Sequence, residues 1–159
     1  SPTNKLANDF VFHVEKELRA GKVGIPAGVF SSVALPGKVE AVYGGYSKTL
    51  FLESLKAHQM FFEGTAFDSL SVGPSFARYL DHLDIKDGTT LLSDRISEAF
   101  DTARAAAQPL FEDFKTQSAT SPLQMLQLFD ELQRIVVLMK VDMMQAMNIK
   151  VDYVDADGD

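Results

Sequence analysis

Apolar residues recur every three or four positions through most of the chain, which is the spacing of a helix with one buried face. The first predicted helix covers residues 4–20, where Thr3 or Asn4 would cap its start and Gly21 would stop it. Its apolar positions are Leu6, Phe10, Val14 and Leu18. This spacing predicts an amphipathic helix that packs on a core.

Two further helices follow from the same spacing. Ser47 is the predicted N-cap of a second helix that runs through Glu63 and ends at Gly64. Residues 74–83 predict a short helix. The buried stripe of the second helix would consist of Phe51, Leu55, His58 and Phe62.

The second half of the chain predicts two long helices. Thr89 or Thr90 would cap the first, and Pro109 inside its pattern should kink or divide it. The stretch SPLQ at 121–124 is typical of a helix start, with a capping serine, a proline at the first helical position and a glutamine completing a capping box. The helix that it opens is predicted to reach about Met147.

Two segments do not fit a helix. Residues 21–45 hold six of the ten glycines and keep no regular period, but their apolar content predicts an ordered loop with its apolar side chains tucked in. Residues 149–153 alternate apolar and polar positions and predict a short extended segment. The prediction is an all-α fold: a single domain over residues 1–159, an up-and-down bundle of four main helices plus a short one, with this loop and an extended C-terminal segment.

Composition narrows the function classes. The chain has 15 Lys and Arg against 22 Asp and Glu, and its basic residues form no cluster, which argues against a nucleic-acid partner. No apolar run approaches the length of a membrane span, about 18 residues. The absence of cysteine excludes disulfides and thiolate chemistry.

Two groups of residues are candidate metal ligands. His13 and Glu17 are four apart and would share a helix face, but a zinc or iron site needs at least a third ligand. The terminal DADGD, with Asp155, Asp157 and Asp159, begins like a calcium loop but lacks the later bidentate glutamate. The metal hypothesis is therefore the weaker one, and a solvated acidic end is the simpler interpretation.

Asp142 is a candidate on the last helix. Continuing the stripe of Leu128, Leu132, Ile135 and Met139 places it on the core-facing side, where an unpaired carboxylate is costly. We therefore expect a partner for it, which makes it either a structural pair or part of a site. The common serine-nucleophile and phosphate-loop motifs are missing from the sequence.

Several stretches together resemble the imelysin-like proteins, a bacterial periplasmic or outer-membrane-associated family linked to iron acquisition and also described as peptidases. The matching pieces are VEKELRAGKVGIPAG, VEAVYGGYS, FARYLDHL followed by KDG, and the closing LQRIVVLMKVDMMQAMNIKVDYVDADGD. The most specific of them is the closing piece, in which a long helix, a short extended run and a terminal DGD occur in order.

The resemblance implies the C-terminal one of two packed helical bundles, with the second bundle as partner. The GxHxxE motif behind the peptidase description belongs to the other half and does not occur in this sequence. The implied function is thus a non-catalytic module at a domain interface that binds iron, another divalent metal or a different ligand. Its implied site residues are Glu40, Tyr43 and Ser47, together with Asp142. A metal-dependent peptidase and a purely structural or interaction domain are the alternatives.

Overall fold

The structure is a computed structural model that describes residues 1–68 and 71–153. Over these residues the chain is mostly helical, with six helices and one small hairpin. The all-α prediction is therefore confirmed. None of the described helices combines the length and the hydrophobicity needed to span a lipid bilayer.

The first helix, α1, is longer than predicted. It runs without interruption through α-helical Pro2–Phe12, π-helical His13–Gly24 and α-helical Ile25–Ala27. The side chain of Ser1 caps it, so the predicted caps at residues 3 and 4 are wrong.

Gly21 does not stop α1, contrary to the prediction. A glycine ends a helix when it takes the left-handed conformation, and Gly28, with φ of 85°, is the residue that does so. Gly24 has right-handed helical backbone angles, and the reason for glycine there is close packing, since a Cβ on it would lie 2.7 Å from the ring of Phe129 on the last helix. The glycines at 21 and 24 therefore belong to the helix and not to the loop.

The glycine-rich loop covers residues 28–46 and contains a short 3₁₀ turn, Pro36–Lys38. Val39 is buried as expected. In contrast, Phe30 and Val33 are exposed, so the loop covers only part of its own apolar surface.

Helix α2 spans Ser47–Glu63 and ends at Gly64, which has φ of 76°. All four residues of its predicted stripe are buried, which confirms its orientation. The N-cap position belongs to Tyr46, and the side chain of Glu112 accepts hydrogen bonds from the backbone N–H and the hydroxyl of Thr49. The predicted cap at Ser47 is therefore wrong, because a glutamate from a distant loop occupies that role.

The middle of the chain is made of short elements and one long helix. Pro109 divides the predicted long helix into two: one helix ends at Ala107 and the next begins at Phe114. The sequence predicts a turn over residues 84–90, and the structure adds two short paired strands there that helical spacing does not predict. The elements are α3 (Phe76–His82), β1 (Lys86–Asp87), β2 (Thr90–Leu91), α4 (Leu92–Ala107) and α5 (Phe114–Thr120).

The last helix, α6, consists of α-helical Pro122–Val137, π-helical Leu138–Met143 and α-helical Met144–Ala146. It ends close to the predicted position. Gln124 does not complete a capping box, since its side chain instead accepts a hydrogen bond from Gln117.

The core lies where α6 packs against α1 and α4, with α2 packed on α1 and α4. Residues 149–153 follow α6 as an extended segment whose alternation is confirmed: Ile149 is buried, and Lys150 and Asp152 are exposed. The buried amide of Asn8 holds this segment on α1, since it donates to the carbonyl of Lys150 and accepts from the backbone N–H of Asp152.

Candidate functional site

The three predicted site residues of the glycine-rich loop and the start of α2 lie in different environments. Glu40 forms an ion pair with Lys22 of α1. Tyr43 is almost fully exposed, at 97%. Ser47 is buried, and its Oγ has no hydrogen-bond partner among the described residues. No hydrogen bond or ion pair joins these three side chains to one another in the part of the chain that the structure describes.

Asp142 does not face the core, contrary to the prediction. It is exposed, and Met139, Met143 and Met144 carry the buried stripe past it. The reason is the π-helical stretch of α6: a π-helix bonds residue i to i+5 and so holds more residues per turn than an α-helix. This shift moves the buried position from 142 to 143.

Among the described residues, the buried acidic and basic side chains are instead Glu15 and Arg19, and together with the half-buried Lys140 and Tyr153 we call them the charged cluster. Glu15 is 2% exposed, and its Oε2 accepts hydrogen bonds from Lys140 Nζ at 3.0 Å and from the Tyr153 hydroxyl at 2.9 Å. Arg19, also 2% exposed, lies 3.7 Å from the other carboxylate oxygen. These contacts tie α1, α6 and the extended segment together.

The charged cluster coincides with the two π-helical stretches, since Glu15 and Arg19 lie on that of α1 and Lys140 on that of α6. Short π-helical stretches are often found at functional sites. Here, however, the carboxylate of Glu15 accepts hydrogen bonds from Lys140 and Tyr153 and also faces Arg19, so its oxygens already have partners within the fold. We therefore assign the charged cluster to folding: it gives the buried carboxylate the partners that it requires.

A sequence signal for the charged cluster exists and was missed. Ala7, Val11, Glu15 and Arg19 follow one another at four-residue spacing on α1. An oppositely charged i, i+4 pair that continues an apolar row indicates a buried ion pair.

A second polar contact joins α1 to α2. His13 Nδ1 and His58 Nε2 lie 2.9 Å apart, and we call these two residues the histidine pair. His58 is buried, and its Nδ1 lies 2.6 Å from the carbonyl oxygen of Ser54. A carbonyl only accepts, so Nδ1 of His58 carries the hydrogen and its Nε2 presents a lone pair to His13.

Burial lowers the pKa of His58, and this effect outweighs the opposing hydrogen bond to the Ser54 carbonyl. The neighbouring His13 and Lys22 lower it further. His58 is consequently neutral at pH 7.

The predicted metal group around His13 is not assembled as proposed. His13 contacts His58, and Glu17 is exposed on α1. Asp155, Asp157 and Asp159 lie outside the residues that the structure describes. Within residues 1–68 and 71–153, no three histidine, aspartate or glutamate side chains lie close enough together to hold a metal ion jointly.

The main concave surface lies beside the histidine pair. Three adjoining depressions share Phe61 in their lining, and the largest, about 810 Å³, lies between α1, α2 and α3. Its described lining residues carry no charge. We call the three depressions together the Phe61 surface. Its large exposed apolar members are Leu6 (50% exposed), Phe61 (47%), Tyr79 (45%) and Phe67 (100%).

Comparisons of the chain with protein-family models, with curated proteins and with solved structures give no match. The resemblance to the imelysin-like proteins therefore stays a prediction.

Proposed function

We propose that this chain is a non-catalytic helical module of an imelysin-like protein of the bacterial periplasm or outer membrane. In this proposal the Phe61 surface packs against a second helical bundle and forms one wall of a cleft that binds a metal or another ligand. The observation that supports it is the contiguous apolar surface around Phe61.

The size and chemistry of the Phe61 surface fit a protein partner. Contiguous exposed apolar side chains are uncommon on a free monomer and often mark an interaction site, and aromatic residues are enriched where such sites are buried. Phe61 lies at the centre, with Leu6 on α1 and Tyr79 on α3 beside it. A groove between helices is a shape into which another amphipathic helix packs.

The other parts of the proposal come from the resemblance and from the helix pattern. The four long helices would form an up-and-down bundle. By the resemblance, Glu40, Tyr43 and Ser47 would face the domain junction, and Asp142 would be a further ligand-binding residue. The proposed ligand is iron, another divalent metal or a different ligand, and the second bundle is either another part of the same polypeptide or a partner chain.

Photo-crosslinking in the native cell tests the docking surface. Replacing Phe61 with the photo-reactive analogue p-benzoylphenylalanine keeps an aromatic ring at the centre of the surface. Leu123 of α6, which is 66% exposed and is not among the described lining residues of the Phe61 surface, is the matched control position. Crosslinked peptides are then identified by mass spectrometry, and cell fractionation shows whether the product is periplasmic.

We expect crosslinks from position 61 to peptides of a helical bundle and few or none from position 123. If the two positions give the same products, or position 61 gives none, the Phe61 surface is not a docking site and the proposal is wrong. A cytoplasmic product would contradict the proposed location.

A further inference from the structure

The histidine pair lies at the edge of the Phe61 surface, where one of the three depressions opens to solvent. This depression is lined by Leu6, Asp9, Phe10, His13, Ala57, His58 and Phe61. One histidine comes from α1 and the other from α2, so the packing of two helices fixes the distance between their ring nitrogens. An ion in this depression would be reachable from solvent and from a docked partner.

His58 is held as metal-binding histidines usually are. Its Nδ1–H donates to the Ser54 carbonyl, which fixes the tautomer and leaves Nε2 as the ligand atom. Phe10 stacks on the ring with centroids 6.0 Å apart, which limits its rotation.

His13 completes the pair from the exposed side. Its Nδ1 donates to His58 in the structure, and the tautomer with hydrogen on Nε2 would turn Nδ1 into a second ligand atom. An ion would take the place of this shared hydrogen. Asp9 also lines the depression, but its carboxylate bonds to Lys5.

We propose that His13 Nδ1 and His58 Nε2 bind a divalent transition-metal ion, Cu²⁺ in preference to Zn²⁺, through two adjacent coordination positions. Metal–imidazole bonds are about 2.0–2.1 Å long. Two adjacent nitrogens of a square-planar site then lie about 2.9 Å apart, whereas a tetrahedral site separates them by about 3.3 Å. The nitrogens of the histidine pair are already 2.9 Å apart, but as hydrogen-bond partners, so both rings must turn by about 45° to direct their lone pairs at one ion. Cu²⁺ is preferred over Zn²⁺ because it stands above Zn²⁺ in the general affinity order of divalent metals for nitrogen ligands.

The two imidazoles are the only ligands assigned, so water or a docked partner fills the remaining positions. The proposal deepens the proposed function, because it names the metal class and this chain's ligands in the cleft. It does not depend on docking, since the two helices that carry the histidines belong to this chain.

Copper binding to the untagged chain at pH 7 tests the site. Cu²⁺ is titrated into the wild type, His13→Ala, His58→Gln and the control His82→Ala, with affinity measured by calorimetry and ligands identified by electron paramagnetic resonance. His82 is the remaining histidine and is exposed at the end of α3. Circular dichroism reports whether each variant is folded.

We expect hyperfine splitting from two nitrogens in the wild type and in His82→Ala. We expect binding weaker by roughly tenfold or more in His13→Ala and His58→Gln, since even changes behind a ligand cost about 10–100-fold in metal affinity. His13 is exposed, so His13→Ala should fold even if His58→Gln does not.

Unchanged affinity and splitting in His13→Ala would overturn the proposal, as would tighter binding of Zn²⁺ than of Cu²⁺. Copper bound by surface carboxylates or the acidic tail would show no nitrogen splitting, which would also overturn it. Failure of copper binding leaves the crosslinks from position 61 unchanged, and failure of crosslinking leaves the two-nitrogen spectrum unchanged, so the two proposals fail separately.

Discussion

Replacing Glu15 with glutamine should destabilise the protein strongly, although the change adds no volume and leaves the Phe61 surface intact. Glu15 is 2% exposed and accepts hydrogen bonds from Lys140 and Tyr153. Arg19 lies beside its other oxygen. Glutamine keeps one oxygen acceptor but removes the negative charge that all three of these groups face.

The expected loss in the free energy of unfolding follows from these contacts. Removing one member of a buried ion pair costs about 3–5 kcal/mol. Glutamine still accepts one hydrogen bond, and a hydrogen bond to a charged group contributes about 1.5–3 kcal/mol. The expected loss therefore lies at the lower end of the range of about 3–5 kcal/mol for a broken buried pair. We expect a loss of about 3 kcal/mol, which corresponds to a fall in Tm of about 6–12 °C for a chain of this size.

Urea unfolding followed by circular dichroism at pH 7 measures this loss. With a slope of about 2 kcal/mol per molar urea, the midpoint should fall by about 1.5 M. Glu17→Gln is the matched control, since Glu17 lies on the same helix but is exposed, and it should change stability by less than about 0.5 kcal/mol. Equal midpoints for Glu15→Gln and Glu17→Gln would refute the structural role assigned to the charged cluster.

Two further predictions concern helix packing. The pKa of His58 in the folded chain lies below its ordinary value of 6.5. At pH values between the folded and the unfolded pKa, the unfolded chain therefore binds more protons than the folded chain, and the free energy of unfolding should fall as the pH drops from 7 through this range. The fall should be smaller in His58→Gln. Gly24→Ala should cost about 1–3 kcal/mol, because its Cβ would lie 2.7 Å from the Phe129 ring and 2.9 Å from the Phe30 ring.

Each of these predictions has its own control. Urea midpoints of the wild type and His58→Gln that change in parallel between pH 7 and pH 5 would show that His58 does not titrate as described. Gly37→Ala is the control for Gly24→Ala, because a Cβ at Gly37 meets no atom within 4 Å. Gly37→Ala should be neutral or stabilise by about 0.4–1 kcal/mol, and a similar effect at both glycines would contradict the packing argument.

Local sequence was sufficient for the helical class and for several helix positions. The stripe of α2 was predicted residue by residue, and Pro109 and Pro122 marked a break and a helix start. These features depend on hydrophobic spacing and on backbone chemistry over a few residues, both of which a single sequence displays directly.

Predictions failed where a distant residue changed the local outcome. Gly21 looked like a helix stop, but α1 continues to Ala27, and the close packing of Gly24 on Phe129 is a reason for glycine inside it. Ser47 looked like a cap, but Glu112 bonds to the start of α2. Asp142 looked buried, but the π-helical stretch of α6 turned it to solvent.

The sequence by itself thus determined that the chain is helical and which faces of its helices are apolar, because helical spacing is a short-range property. Only the tertiary structure decided which polar groups meet. Glu15 joins Lys140 across 125 positions, and His13 joins His58 across 45. Such contacts depend on how whole helices pack against one another, and no periodicity within a single helix encodes them.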